Sequence, residues 1–231
     1  MFSHFFIIFT LNKRAYTDWV IDLVGLFIQG IGVAVIQTFL ILKVFPMLLP
    51  NYEKSLSINP LIQFLISFVF IDYIYYWNHR MLHSDFFWRF HFLHHSAERV
   101  DWLTTSRNYL FAPLVICYLW IHAFFIFILT DYSFYLAGVM LTYSLDIWRH
   151  SHFSSNHIQL FQKLEGIVIT PQLHHKHHSK THCNSLFGAN FSWWDSFHGT
   201  KQMTAHLDVT VEENLVNLEH LIVFPTYKKV A

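Results

Sequence analysis

Five histidines fall within the seventeen residues 79–95, HRMLHSDFFWRFHFLHH, directly after a long apolar run. On a helix His79 and His83 share a face, and the spacing of His91, His94 and His95 lets all three converge. Imidazoles so arranged make metal binding the first chemistry to test. His174, His177 and His178 in LHHKHH repeat the triad further along, and His150 stands at the end of another apolar run. Nine imidazoles without clustered cysteine exceed the four ligands of a structural zinc site. They argue for two metals in a nitrogen-rich cage. Imidazole suits iron, zinc and copper alike, so the ligands alone do not choose the metal.

Two acids lie inside the apolar runs, where an ionised side chain at mid-helix costs at least ~2.5–3.5 kcal/mol and normally needs a partner. Asp72 precedes His79 by seven residues and Asp146 precedes His150 by four. Each shares a helix face with a candidate ligand. The expected role is to accept a hydrogen bond from the free imidazole N–H and orient the ring, with direct ligation by Asp146 the lesser alternative. His152, His157, His175, His182 and His198 are marginal ligand candidates. His4, His122, His206 and His220 read as packed or solvated. A haem is disfavoured because the histidines sit at the ends of the apolar runs rather than deep within them.

The elements that must position these residues are apolar helices. Residues 19–42 are long enough to cross a hydrocarbon core of roughly 30 Å, as a first span. Pro46, Pro50, Asn51, Asn59 and Pro60 mark a loop. Residues 61–77 form a second span, ending in Tyr and Trp as an interfacial belt would. Residues 111–129 and 132–148 then read as a transmembrane hairpin, and from Arg149 onward the chain is polar. Four crossings put the N-terminus, residues 78–110 and residues 149–231 on one side, with thirteen of the fifteen Lys and Arg. That bias makes the histidine side cytoplasmic, although a hairpin dipping into one leaflet would keep the same parity.

Composition agrees. The chain of 231 residues is 54% hydrophobic and 13% charged, against roughly 25% charged in soluble domains, and its net charge of +0 gives no reason to invoke nucleic acid. No linker or low-complexity tract divides it, so a single domain is expected over 1–231. Cys117 is in an apolar stretch and Cys183 in a polar one, a placement that does not suggest a disulfide. The opening MFSHFFIIFT has its basic pair, Lys13 and Arg14, on the wrong side for a cleavable signal. The expected fold is an all-α integral membrane protein with four transmembrane helices and a cytosolic, histidine-rich helical cap.

These motifs resemble the fatty acid hydroxylase and sterol desaturase superfamily of membrane di-metal oxidases. The family's HxxxH is similar to His79–His83 in HRMLH. Its two HxxHH motifs are similar to HFLHH at 91–95 and HHKHH at 174–178, and its bridging histidine to His150 in RHSH. The closing Gly and WDxxxGT signature is FGANFSWWDSFHGT at 187–200, which adds Asp195 as a candidate for orienting the site. The likeness covers residues 61–200. Three departures stand out: Arg107-Asn108-Tyr109-Leu110 where many members have Arg-x-His-Pro, His152 where Asn is frequent, and His198 where Phe is expected.

The resemblance implies two irons, with zinc as an alternative metal on purification, and consumption of O₂. It implies hydroxylation, or desaturation, of a C–H bond in a lipid or sterol drawn from the membrane. Without a flavin, Rossmann or iron–sulfur motif, electrons would come from an external reductase or cytochrome. Phe64, Phe68, Tyr75, Tyr76 and Trp77 would flank the lipid's path or face lipid and neighbouring helices. The alternatives are an ether-lipid monooxygenase of the alkylglycerol type and a non-enzymatic membrane metal-binding protein. A bacterial inner membrane and an endoplasmic reticulum membrane both fit.

Overall fold

The computed structural model describes residues 14–97, 99–152, 163–179, 184–201 and 218–222. Its longest element, α1 (Tyr16–Leu48), is 33 residues of apolar helix, about 50 Å by the helical rise. Most of its flank is bare: Leu23, Phe27, Ile31, Val35, Phe39 and Leu42 are exposed, as lipid-facing side chains would be. A loop at 49–59 turns the chain into α2 (Pro60–Leu82). There the Asn59 side chain accepts from Leu61 N at 2.9 Å and Pro60 occupies the first helical position, where its missing N–H costs nothing.

The expected second span, 61–77, belongs to a longer helix. α2 continues without a break through His79 to Leu82, with His83 as its C-cap, so the ligand pair is carried on the span rather than after it. A short turn leads to α3 (Trp88–His95), then the loop 96–116.

The hairpin has shorter helices than its apolar windows suggested. Residues 111–116 are turns around Pro113, and α4 (Cys117–Ile128) begins where the Asn78 side chain accepts from Cys117 N at 3.1 Å. α4 has 12 residues and α5 (Ser133–Arg149) has 17, about 18 and 26 Å. Among the described residues two helices, α1 and α2, are long and apolar enough to cross a membrane by themselves. The hairpin nevertheless reaches the far ends of those helices. Leu56 N donates to Ile128 O at 2.9 Å and Thr130 N to Leu56 O at 3.0 Å, pinning its tip to the α1–α2 loop.

α5 lies hard against α2 because Gly138 has no side chain. A Cβ there would meet Ser67 Oγ at 2.1 Å. Ile71 of α2, Phe127 to Leu129 of the hairpin, and Tyr135 and Val139 of α5 fill the core between them. Two short helices complete the cap: α6 (Pro171–His177), whose Thr170 N-cap hydroxyl accepts from Leu173 N at 3.3 Å, and α7 (Trp193–Phe197). No strand occurs among the described residues, only two isolated bridges.

Candidate metal centre

The nine sequence-predicted ligands are all buried, and the fold divides them into two groups. His79, His83, His91, His95 and His177 form one; His94, His150, His174 and His178 form the other. Within each group the candidate ligand atoms all lie within 4.8 Å of one another. The groups cut across the sequence clusters. On α3, His91 and His95 are one turn apart and serve the first group, while His94, rotated between them, serves the second. On α6, His174 and His178 go together and His177 points to the other side.

Hydrogen bonding fixes which nitrogens are open. A carbonyl can only accept, so His79 Nδ1 donates to Phe187 O at 2.9 Å, His177 Nδ1 to Ser185 O at 2.6 Å, and His150 Nδ1 to the Asp146 carbonyl at 2.8 Å. In the neutral rings this leaves lone pairs on the Nε2 atoms. Yet His177 Nε2 faces His79 Nε2 at 3.1 Å, and His150 Nε2 faces His174 Nε2 at 3.0 Å. Between His79 and His177 both facing atoms carry lone pairs, which repel unless a proton or a cation lies between them, whereas the His150 lone pair can also accept from a neutral His174 Nε2–H. Burial opposes the proton. It pushes His94 down to about 3, and with the crowding of neighbouring imidazoles it lowers His95, His174 and His178 well below the usual histidine range. Ligands bound at about 2.1 Å and roughly perpendicular directions stand about 3.0 Å apart, so these contacts fit a shared metal ion. Both ring nitrogens of His95 lack a hydrogen-bond partner among the described residues, as a ligand awaiting metal would.

The donor sets contain nitrogen only. Cys117 is on α4 beside Asn78, and no carboxylate belongs to either group. All-imidazole sets suit iron, copper or zinc and argue against magnesium or calcium.

Comparison with known proteins now decides the family. Residues 64–200, more than half of the chain, match the fatty acid hydroxylase family. The chain belongs to that family. Alkylglycerol monooxygenase of Xenopus tropicalis is 29% identical over 140 residues, 58% of this chain and 29% of its own length. Ornithine lipid hydroxylase OlsE of Rhizobium tropici is 31% identical over 146 residues, 60% of this chain and 41% of its own. Very-long-chain aldehyde decarbonylase GL1-7 of Oryza sativa subsp. japonica is 28% identical over 220 residues, covering 90% of this chain and 32% of its own. The chain thus spans well under half of each of these relatives. No solved structure matches it.

Within this hydroxylase-family core the acids act differently from their sequence-based roles. Asp72 bonds to no imidazole among the described residues. Its carboxylate accepts from Asn190 N at 2.7 Å, Phe191 N at 3.2 Å and Trp194 Nε1 at 2.9 Å, tying α2 to the segment before α7. Seven residues gave the right helix face, but two turns of rise put Asp72 about 10 Å along the axis from His79. Asp146 does orient His150, through its carbonyl; its carboxylate stands 3.6 Å from that ring and pairs with Arg149 at 2.9 Å. Asp195 acts one step removed from the rings. It accepts from Phe187 N at 2.7 Å, Gly188 N at 2.9 Å and Thr200 Oγ1 at 2.7 Å, bracing the loop whose carbonyls hold His79 and His177.

The marginal histidines that the structure describes, His152, His175 and His198, stay outside both groups. His152 is exposed with its ring 6.0 Å from His175, and His198 stacks on Tyr76 at 4.9 Å. His122 is packed, as expected, bonded to the Tyr135 hydroxyl at 2.8 Å, and the His220 ring lies against Phe92. His4, His157, His182, His206 and Cys183 fall outside the described residues. Of the aromatic candidates, Tyr75 is beside the first group, its ring 5.4 Å from His79 and stacked on Tyr118 at 4.6 Å, whereas Tyr76 is buried core and Trp77 is exposed. The sequence reading missed the Ser185 and Phe187 carbonyls, which have no side-chain signature, and the role of Arg107.

Proposed function

We propose that the chain is an O₂-dependent hydroxylase of a membrane lipid, working at two irons held by the nine histidines. The observation that carries this reading is the pair of all-imidazole clusters, with Nε2 atoms facing each other at 3.0–3.1 Å, at the end of an apolar helix in a fatty acid hydroxylase family chain. His79, His83, His91, His95 and His177 would hold one ion and His94, His150, His174 and His178 the other. When bound, the irons would supply O₂ activation, by which a C–H bond, O₂, two electrons and two protons become an alcohol and water.

The protein's own part is to keep the imidazoles neutral, aim their lone pairs and exclude bulk water. The carbonyls of Phe187, Ser185 and Asp146 fix three rings, and burial holds His94, His95, His174 and His178 uncharged. Tyr75 and Tyr118, stacked beside His79, would form one wall of the path for an apolar chain. Electrons would come from a separate reductase or cytochrome.

The histidine side is read as cytoplasmic, with the hairpin 111–148 reaching the opposite face. Arg14, before α1, pairs with Asp101 beyond α3 at 2.8 Å, which supports a common side for the two ends, and Lys54 lies at the other end beside the hairpin tip. The same scaffold could hydroxylate the carbon next to an ether oxygen. The name of the alkylglycerol monooxygenase relative favours that second reading. A metal carrier is disfavoured, since both clusters lie at one end of the spans rather than along a path through them.

The test is metal content of anaerobically purified protein together with lipid-dependent O₂ uptake under added reductant. Two irons per chain and uptake that disappears in His94→Ala and His177→Ala are expected. Folded protein without stoichiometric metal would overturn the reading. Uptake with alkylglycerols but not with acyl lipids would select the ether reading.

A further inference from the structure

The largest fully buried side chain in the protein is an arginine, Arg107, and its guanidinium joins α1 to the end of α3. Nη1 donates to Asp22 Oδ1 at 3.3 Å, Nη2 to Asp18 Oδ1 at 2.7 Å, and Nε to Ser96 Oγ at 3.3 Å. Asp18 and Asp22 are on successive turns of α1; Ser96 is the C-cap of α3, directly after His94 and His95. Arg14 completes the network by pairing with Asp22 and by donating to both carboxylate oxygens of Asp101 at 2.9 and 2.8 Å.

Apolar packing runs through the same place. Ile21 and Val24 of α1 close over Leu93, the residue before His94, in a small core of their own. Gly25 lets α1 come down onto the loop, since a Cβ there would meet Ser106 O at 2.2 Å. Asp22, a lone acid in an apolar run by sequence, is thus a buried counterion for the loop that follows the first histidine triad.

From this geometry we infer that Arg107 is a positioning residue for His94. With Asp18 and Asp22 of α1 as its counterions, it sets the four-histidine cluster and leaves the five-histidine cluster to other supports. The inference rests on the reading of both clusters as metal sites. Its asymmetry follows from what holds each ring. His79 and His177 are fixed by carbonyls of the 185–187 loop, on the far side of the centre from α1. His94 and His95 both lie at the end of α3 that Arg107 grips through Ser96. A shift of that end takes one ligand of four from the cluster of His94 but one of five from the cluster of His95, where two rings are held by the 185–187 loop. A buried ionic network is weak evidence for stability, because apolar residues of equal volume often serve as well. Its placement against the ligand-bearing end of α3 is what assigns it a task. α1 lies outside the residues 64–200 that match the family.

The test is zinc binding, titrated anaerobically into metal-free protein in detergent, with helicity and gel filtration as checks of folding. Arg107→Ala is combined with Asp22→Asn so that the larger buried charge is not stranded. Wild type is expected to bind two zinc ions tightly. The double variant should keep one and hold the second on the order of 10–100-fold more weakly, the usual cost of losing support behind a metal ligand. Adding His150→Ala should leave the one tight ion in place, whereas adding His83→Ala should leave none. Ser96→Ala, a milder change, should weaken the second ion alone by a smaller factor, and Arg107→Lys with Asp22 intact should recover part of the loss. A folded double variant with two wild-type affinities, or with both weakened equally, would overturn the inference. Wild type failing to bind two ions would instead remove the reading beneath it.

Discussion

The two histidine clusters share neighbouring residues on α3 and α6 and yet are supported in different ways. In the five-histidine cluster, two rings donate to carbonyls of one loop, at Phe187 and Ser185, and Asp195 pins that loop through two backbone N–H groups and a hydroxyl. In the four-histidine cluster, His150 leans on a carbonyl of its own helix and His94 backs onto a loop gripped by buried charge. One cluster is braced by a local loop, the other by helices brought from distant parts of the chain. Support of the first kind is lost by loosening one segment; support of the second kind is lost by shifting α1 or the hairpin.

Ligand removal is the largest way to break this comparison. His83→Ala should abolish the five-histidine ion and His150→Ala the four-histidine ion, each leaving about one metal per chain by mass spectrometry, and each eliminating O₂ uptake. Next in size, Asp195→Asn should loosen the 185–188 loop and weaken only the five-histidine ion, by roughly 10–100-fold in zinc affinity. Equal weakening at both ions would erase the distinction. Gly138→Ala forces a methyl into Ser67 Oγ and should cost about 1–3 kcal/mol, read as a lower melting temperature in detergent. Because α5 ends at His150, any loss of metal in that variant should fall on the four-histidine ion. The smallest effect is expected for Asp146→Asn, within a few-fold of wild type in metal affinity, since the peptide carbonyl at this position orients His150 and survives the substitution. A loss like that of His150→Ala would restore the carboxylate to the role its spacing suggested.

The convergence of the nine histidines was legible because imidazoles repeated at helical intervals, in a chain this apolar, point first to a shared metal-binding task. Their division was not, because HxxHH puts residues on different sides of a helix without saying what faces either side. Asp72 and Asp146 show the limit of reading spacing: a shared face says nothing of how far along the axis two groups lie, or of whether a peptide carbonyl does the work. The apolar windows located the helices, but hydropathy saw residues 111–116 as part of a span. The chain begins α4 only at Cys117, where Asn78 supplies the acceptor for its first N–H. Asp22 pairs with Arg14, 8 residues before it, and with Arg107, 85 residues on, and the second partner lies beyond any local pattern.

The short helix α6 has a final consequence. His174 and His178 reach one cluster while His177, between them, reaches the other, and α3 repeats the arrangement with His94 between His91 and His95. Among the described residues no carboxylate joins the two groups. The spacing of the two histidine groups is therefore dictated by the pitch of a peptide helix, applied twice, rather than by a side chain that can swing. A centre gauged in this way keeps its span while the groups around it move, and only unwinding a turn of backbone would change it.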